Sequence, residues 1–256
     1  MNFLKILVMI FLLQTKSLYA SEDNLYKFLW LDPDKKVYVL QKKLFPKKMH
    51  VFFDIGGLYR FSNPFQTTFA PFGNIDFFFT EQLGISLLGG YYFNKDNNAF
   101  DGVKNKISQI NQTANTNGGG TTVTTFKNLL PYLINFKYEV GGMVLFSPFY
   151  GKINTFNQIV YFDLYFGLGA SWVAAQSNYD AIINDTAGDK TSQMKDVNFV
   201  AVNAKVGLRF YISKHVNFCV DYIHRGYMEK LITEDKIEKK GIYYESDIVA
   251  KFGISF

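Results

Sequence analysis

From Met49 onwards the chain places apolar residues at every second position, segment after segment. This period of two marks β-strands, where an amphipathic helix would show 3.6. Between Asn198 and Ile212, Val200, Val202, Ala204, Val206, Leu208, Phe210 and Ile212 alternate with Phe199, Ala201, Asn203, Lys205, Gly207, Arg209 and Tyr211. The last thirteen residues, YESDIVAKFGISF, set Tyr244, Ile248, Ala250, Phe252, Ile254 and Phe256 on one face, and Glu245, Asp247 and Lys251 on the other. The pattern predicts eight strands, over 49–61, 69–79, 83–93, 136–147, 159–172, 198–212, 216–225 and 244–256, with Pro148 ending the fourth. The fifth is also the best rival for a membrane helix, with one charge in the eighteen residues from Gln158 to Ala175. Its alternation, paired glycines and aromatic load favour a strand.

The connections alternate in length. Those at 80–82, 148–157 and 213–215 are short, and those at 62–68, 94–135, 173–197 and 226–243 are longer. The stretch 94–128 is rich in Asn, Thr and Gly and cannot bury a core; we read it as a long surface loop with a short helix over 103–110. An even number of strands, each long enough to cross a bilayer at a tilt, with short turns at one end and long loops at the other, predicts an all-β fold: an eight-stranded antiparallel up-and-down transmembrane β-barrel. A soluble sandwich has no reason to show an apolar band on every strand.

Residues 1–20 carry Lys5, the apolar run ILVMIFLL and Ala20, the order of a secretory signal; eight apolar residues are too few to span a bilayer as a helix. We therefore divide the chain into a signal peptide over 1–20, a periplasmic N-terminal arm over 21–48 and an outer-membrane barrel over 49–256. Removing Lys5 and Lys16 leaves 25 basic against 22 acidic residues, too mild and scattered a surplus to argue for nucleic acid. The single cysteine, Cys219, excludes an intramolecular disulfide and a cysteine metal cluster.

The candidate chemistry lies on the inward faces. By alternation these carry Asp54, Arg60, Asp76, Glu139, Asp163, Lys205, Arg209, Asp221, Arg225, Glu245, Asp247 and Lys251. Mixed signs suit internal pairing in a lumen only wide enough for its own side chains, whereas a pore would favour one sign. We expect a structural charge network, with Asp221 between Arg209, leaning across Gly207, and Lys251. Phe252, Gly253 and Phe256 form the C-terminal assembly signal, although Ile254 stands where an aromatic is usual. The three histidines show no metal-ligand spacing, and none is expected to have both a serine and a carboxylate brought to it by register. TNGGGTT at 116–122 lacks the Lys-Ser/Thr of a phosphate loop. Neither catalysis nor a cofactor or metal is expected.

The run VYVLQKKLFPKKMHVFFDIGGLYRFSNPF, the FFFTEQLGISLLGGYYF and RFYISKHVNFCVDYIHR hairpins, and above all LFSPFYGKINTFNQIVYFDLYFGLGAS resemble the outer membrane β-barrel domain family common in predatory and myxobacterial Gram-negative bacteria. The resemblance spans roughly 37–256 and implies topology, not an activity. The expected protein sits in the outer membrane of a Gram-negative bacterium, monomeric or weakly associated, with outer-membrane lipid as its surroundings. Barrel-assembly machinery and periplasmic chaperones would be its partners during biogenesis. Its expected role is structural or adhesive, carried by the long loops; a narrow small-solute channel or a lipid-modifying barrel enzyme is the alternative. If the loop lengths are read correctly, protease added to whole cells will cut within 94–125 and spare the turns at 80–82 and 213–215; cutting at the short turns would invert the topology.

Overall fold

The computed structural model describes residues 43–103, 105–106, 132–155, 158–178, 194–231 and 239–256; the signal over 1–20 and the arm over 21–42 lie outside the described residues. The architecture is that of the unit Phe45–Phe256. It contains β1 (Val51–Arg60), β2 (Gln66–Phe78), β3 (Leu83–Tyr91), β4 (Phe93–Asp96), β5 (Ile134–Thr155), β6 (Gln158–Ser177), β7 (Lys195–Tyr211), β8 (Val216–Leu231) and β9 (Lys239–Ser255). All pairings are antiparallel, and β1 hydrogen-bonds both β2 and β9, closing the sheet on itself.

The ring has eight walls because β3 and β4 are one strand interrupted at Tyr92. Phe72 opposite Gly90 and Phe69 opposite Phe93 belong to the same register against β2. The interruption falls beside Pro71, which brings no N–H to the ladder. Closure is completed at the chain end: the Val51 N–H donates to the Phe256 carbonyl at 3.1 Å, and the Phe256 N–H to the Val51 carbonyl at 3.0 Å.

The faces follow the alternation. In β1, Phe53, Ile55 and Tyr59 are exposed while Phe52, Asp54, Leu58 and Arg60 are buried; in β7, Val200, Val202, Val206 and Leu208 are exposed while Ala201, Asn203, Lys205 and Arg209 are buried. Apolar side chains outside and polar ones inside is the inverse of a soluble fold. It places the apolar belt in lipid.

Several boundaries differ from the sequence pattern. Pro148 does not end a strand: it lies in a bulge between Phe146 and Phe149, where a residue without an N–H is tolerated, and β5 runs on to Thr155. The supposed connection 148–157 is therefore mostly a hairpin. It projects past the short-turn end, since β3 stops pairing at Leu83 opposite Phe146 and β7 stops at Tyr211 opposite Tyr161. At the other end β6, β8 and β9 reach Ser177, Leu231 and Lys239, into segments read as loops. Backbone pairing there continues after the apolar alternation has stopped, so periodicity could not reveal it. The helix expected over 103–110 lies earlier, at 98–103 and 105–106, with Phe100 buried; 107–110 is outside the described residues.

Inside, the apolar side chains form two clusters. Towards the long loops Phe136 packs among Tyr92, Phe199 and Tyr227 at 5.5 to 5.6 Å between ring centroids. Towards the short turns Phe52, Phe78, Leu145, Tyr165 and Tyr211 form a second cluster. Placing a charge on the outer face tests the orientation: Val220→Arg is expected to cost about 2 to 4 kcal/mol if Val220 lies near the midplane. Urea unfolding from lipid vesicles measures this, and a cost near zero would mean that Val220 does not face lipid.

Candidate functional site: the lumen charge network

Strand pleat turns every second side chain inward, and in a ring of eight these side chains meet across the axis. At the upper level Arg60 binds Asp247, Nε to Oδ1 at 2.8 Å, with Glu245 at 3.6 Å. Arg225 joins Asp247 to Glu139, whose Oε2 lies 3.0 Å from Nη2. The Tyr92 hydroxyl donates to Glu139. Asn203 donates to Ser171 at 2.8 Å, and the Arg60 guanidinium lies 4.0 Å over the Phe136 ring.

At the middle level Arg209 Nη2 binds two carboxylates, Asp54 at 2.9 Å and Asp76 at 2.6 Å, and its guanidinium lies 4.1 Å over the Phe52 ring. Asn74 bridges the same pair, donating to Asp54 at 3.0 Å and to Asp76 at 2.7 Å. Lys251 Nζ lies 2.6 Å from Asp221 and also donates to Asn74. Lys205 stands 4.0 Å from Asp221, and the Tyr165 hydroxyl donates to it. Below these, Asp163 takes the Tyr211 hydroxyl and Lys47, at 3.1 Å.

All nine charges of the expected network, Asp54, Asp76, Asp163, Lys205, Arg209, Asp221, Arg225, Asp247 and Lys251, are therefore buried and within reach of a partner, as are Arg60 and Glu139. Asp221 does sit opposite Gly207. The expected Asp221 to Arg209 contact does not form. Tyr165 fills the space over Gly207, where any side chain would strike the Tyr165 ring and the Asp221 carboxylate, so Arg209 turns across the axis to β1 and β2 instead. Asp221 lies between two cations, but they are Lys251 and Lys205.

Sequence reasoning missed Lys47, which is outside every alternating segment and next to Lys48, so that it reads as solvated. It also gave no role to the phenols of Tyr92, Tyr165 and Tyr211, each of which supplies a carboxylate with a donor from a position already legible as inward. The three C-terminal residues separate by face. Phe252 and Phe256 are exposed to the outside, Phe252 packing 4.9 Å from Phe218. Gly253 faces inward between Asp54 and Asn217, and a Cβ there would collide with the Asp54 carboxylate.

The histidines stand apart from the network. His50 contacts the Lys48 carbonyl at 2.9 Å and His215 the Ser255 carbonyl at 3.1 Å. His224 meets a serine: Ser246 is directly opposite in register, Nδ1 to Oγ at 2.9 Å, on the outward face. The Ser246 N–H donates to Ser62 Oγ at 3.1 Å, its hydroxyl also meets the Tyr222 hydroxyl at 3.1 Å, and His224 stacks on Tyr244.

A ring closed without an edge, apolar outside and ion-paired inside, defines a small integral outer-membrane β-barrel protein. No family model matches the chain, and no curated protein matches it. Among solved structures it is similar to the N-terminal β-barrel domain of Pseudomonas aeruginosa OprF, at 11% identity over 82% of this chain and 98% of that one, with a TM-score of 0.43. It is similar also to Ail, the attachment invasion locus protein of Yersinia pestis, at 12% identity over 82% and 99% with a TM-score of 0.41. For Neisserial surface protein A the values are 10%, 81%, 96% and 0.42. These are likenesses of fold alone.

A double-mutant cycle tests the pairing in the lumen. Asp221→Ala strands two cations in a buried site and is expected to cost roughly 3 to 5 kcal/mol. Adding Lys251→Met should recover much of that loss in urea unfolding from vesicles, whereas adding Arg209→Met should be close to additive. Recovery by Arg209→Met and not by Lys251→Met would mean that the cross-lumen partners are wrongly assigned.

Proposed function

We propose that this barrel is a structural and surface-interaction protein of the outer membrane: a rigid anchor that presents the segments leaving its long-connection end to the exterior, with an adhesive role. The supporting observation is the filled lumen. Arg209, Asp54, Asp76, Asn74, Lys251 and Asp221 span the axis with side chains no more than 4% exposed. A solute would have to break several buried ion pairs to pass, which argues against the narrow-channel reading. The Ser246 Oγ is shared between His224 and the Tyr222 hydroxyl as a cross-strand tie, which lends the lipid-modifying reading no specific support.

On this reading the protein is a monomer whose function needs no cofactor. It reaches the membrane through periplasmic chaperones and the barrel-assembly machinery, with Phe252 and Phe256 offered outward as the end that is recognised. Gly253 has a different part, leaving room for Asp54.

Two measurements decide between the readings. Planar-bilayer recordings of the purified barrel are expected to show no reproducible unitary conductance; steady openings would instead support the channel. Replacing 105–122 by a short Gly-Ser linker should leave folding in detergent nearly unchanged, because closure entropy varies slowly with loop length. It should also weaken attachment of expressing cells to their surface partner. Unchanged attachment, or loss of the barrel, would remove the role given to that loop.

A further inference from the structure

The strand walls of the lower lumen are one positive charge short. Their buried acids at the middle and lower levels are Asp54, Asp76, Asp163 and Asp221, four in all, and their buried bases are Lys205, Arg209 and Lys251, three. The fourth cation is Lys47, 1% exposed, which is on no strand and comes from the segment that precedes β1. Its Nζ lies 3.1 Å from Asp163 of β6, donates to Ser147 of β5 at 2.5 Å, and sits 5.3 Å over the Phe78 ring of β2.

The chain around Lys47 is built to hold it there. The His50 N–H donates to the Lys47 carbonyl at 2.9 Å, closing a turn whose third residue, Met49, has φ 61°, a left-handed conformation that a residue with a side chain adopts at a cost. Glu81, in the turn between β2 and β3, accepts the backbone N–H groups of Lys47 and Lys48 at 3.1 to 3.3 Å. Phe45 stacks on Tyr211 at 4.8 Å and meets Tyr161 edge-on at 5.4 Å. Tyr211 pairs in register with Asn217, whose amide oxygen lies 3.2 Å from the Cys219 sulfur. Phe45 therefore packs at the short-turn end of β7, two residues beyond Arg209, which pairs in register with Cys219.

We propose that 45–49 is a plug that the chain inserts into its own barrel from the short-turn end. Lys47 brings the charge that makes the lower lumen neutral, and Phe45 closes the mouth beneath it. A neutral, closed lumen is a property of barrel and plug together. The strands alone would leave Asp163 with a buried charge uncompensated by any wall cation, a state that draws water in. The role given to the outer loops does not depend on this, and failure of either leaves the other standing.

The buried thiol of Cys219 reports the seal. The full-length barrel is reconstituted in vesicles, its folding verified by heat-modifiable migration, and treated with a small methanethiosulfonate reagent. Wild-type Cys219 should react slowly. Lys47→Met, which keeps the aliphatic stem over Phe78 and removes the charge, should raise the rate by about tenfold or more, as local opening of the mouth becomes easier. Lys47→Met combined with Asp163→Asn restores neutrality and should return the rate to within about threefold of wild type, since matched removal of both partners is far less costly than removal of one. Wild-type protection in Lys47→Met, or a double variant as reactive as the single one, would overturn the proposal. Should Lys47→Met fail to fold, the double variant decides: a folded, protected double supports the plug, and a double that also fails to fold, or folds unprotected, refutes it.

Discussion

The controlling constraint is that hydrocarbon offers no hydrogen bonds. Every peptide group that crosses it must find a partner within the protein, and strands can meet that condition only by closing on themselves. The closure here depends on β1 having β2 on one side and β9 on the other, and on Phe256, whose N–H and carbonyl both engage Val51. The remaining features follow from the ring. Its circumference sets how wide the lumen is, and the lumen width sets how far an inward side chain must reach.

In so narrow an interior a charged residue has two means of stabilisation, another side chain or trapped water. This barrel uses side chains at three levels, and aromatic residues are part of the electrostatics. Arg60 and Arg209 lie over the rings of Phe136 and Phe52 while their nitrogens engage carboxylates. Tyr92, Tyr165 and Tyr211 give phenol donors to Glu139, Asp221 and Asp163. The abundance of Phe and Tyr thus serves two environments: rings outside meet lipid, and rings inside fill volume that aliphatic side chains would leave without polar contacts.

A filled lumen also stiffens the barrel. Ion pairs that cross the axis tie β1 and β2 to β7, and β5 to β8, so the wall resists the flattening to which an empty eight-stranded ring is open. The two ends differ. At one the strands outlast the apolar belt and lead into long connections, and at the other the β5 and β6 hairpin projects beside the turn that carries Lys47.

The eight walls and the face on which each strand side chain lies were legible in the sequence. Alternation is a local property of the pleat, so the inward positions of Asp54, Lys205, Asp221 and Lys251 follow from counting by two, and the Gly207 to Asp221 register from the tight turn at 213–215. What only the tertiary structure decided is who meets whom across the axis. Whether Arg209 bends to Asp221 or crosses to Asp54 and Asp76 depends on barrel radius, on strand stagger and on Tyr165 occupying the space over Gly207, none of which is written in any one segment. For the same reason Lys47 could not be found by periodicity. It belongs to no strand, and its burial exists only once the closed ring offers Asp163 and Ser147 at the mouth.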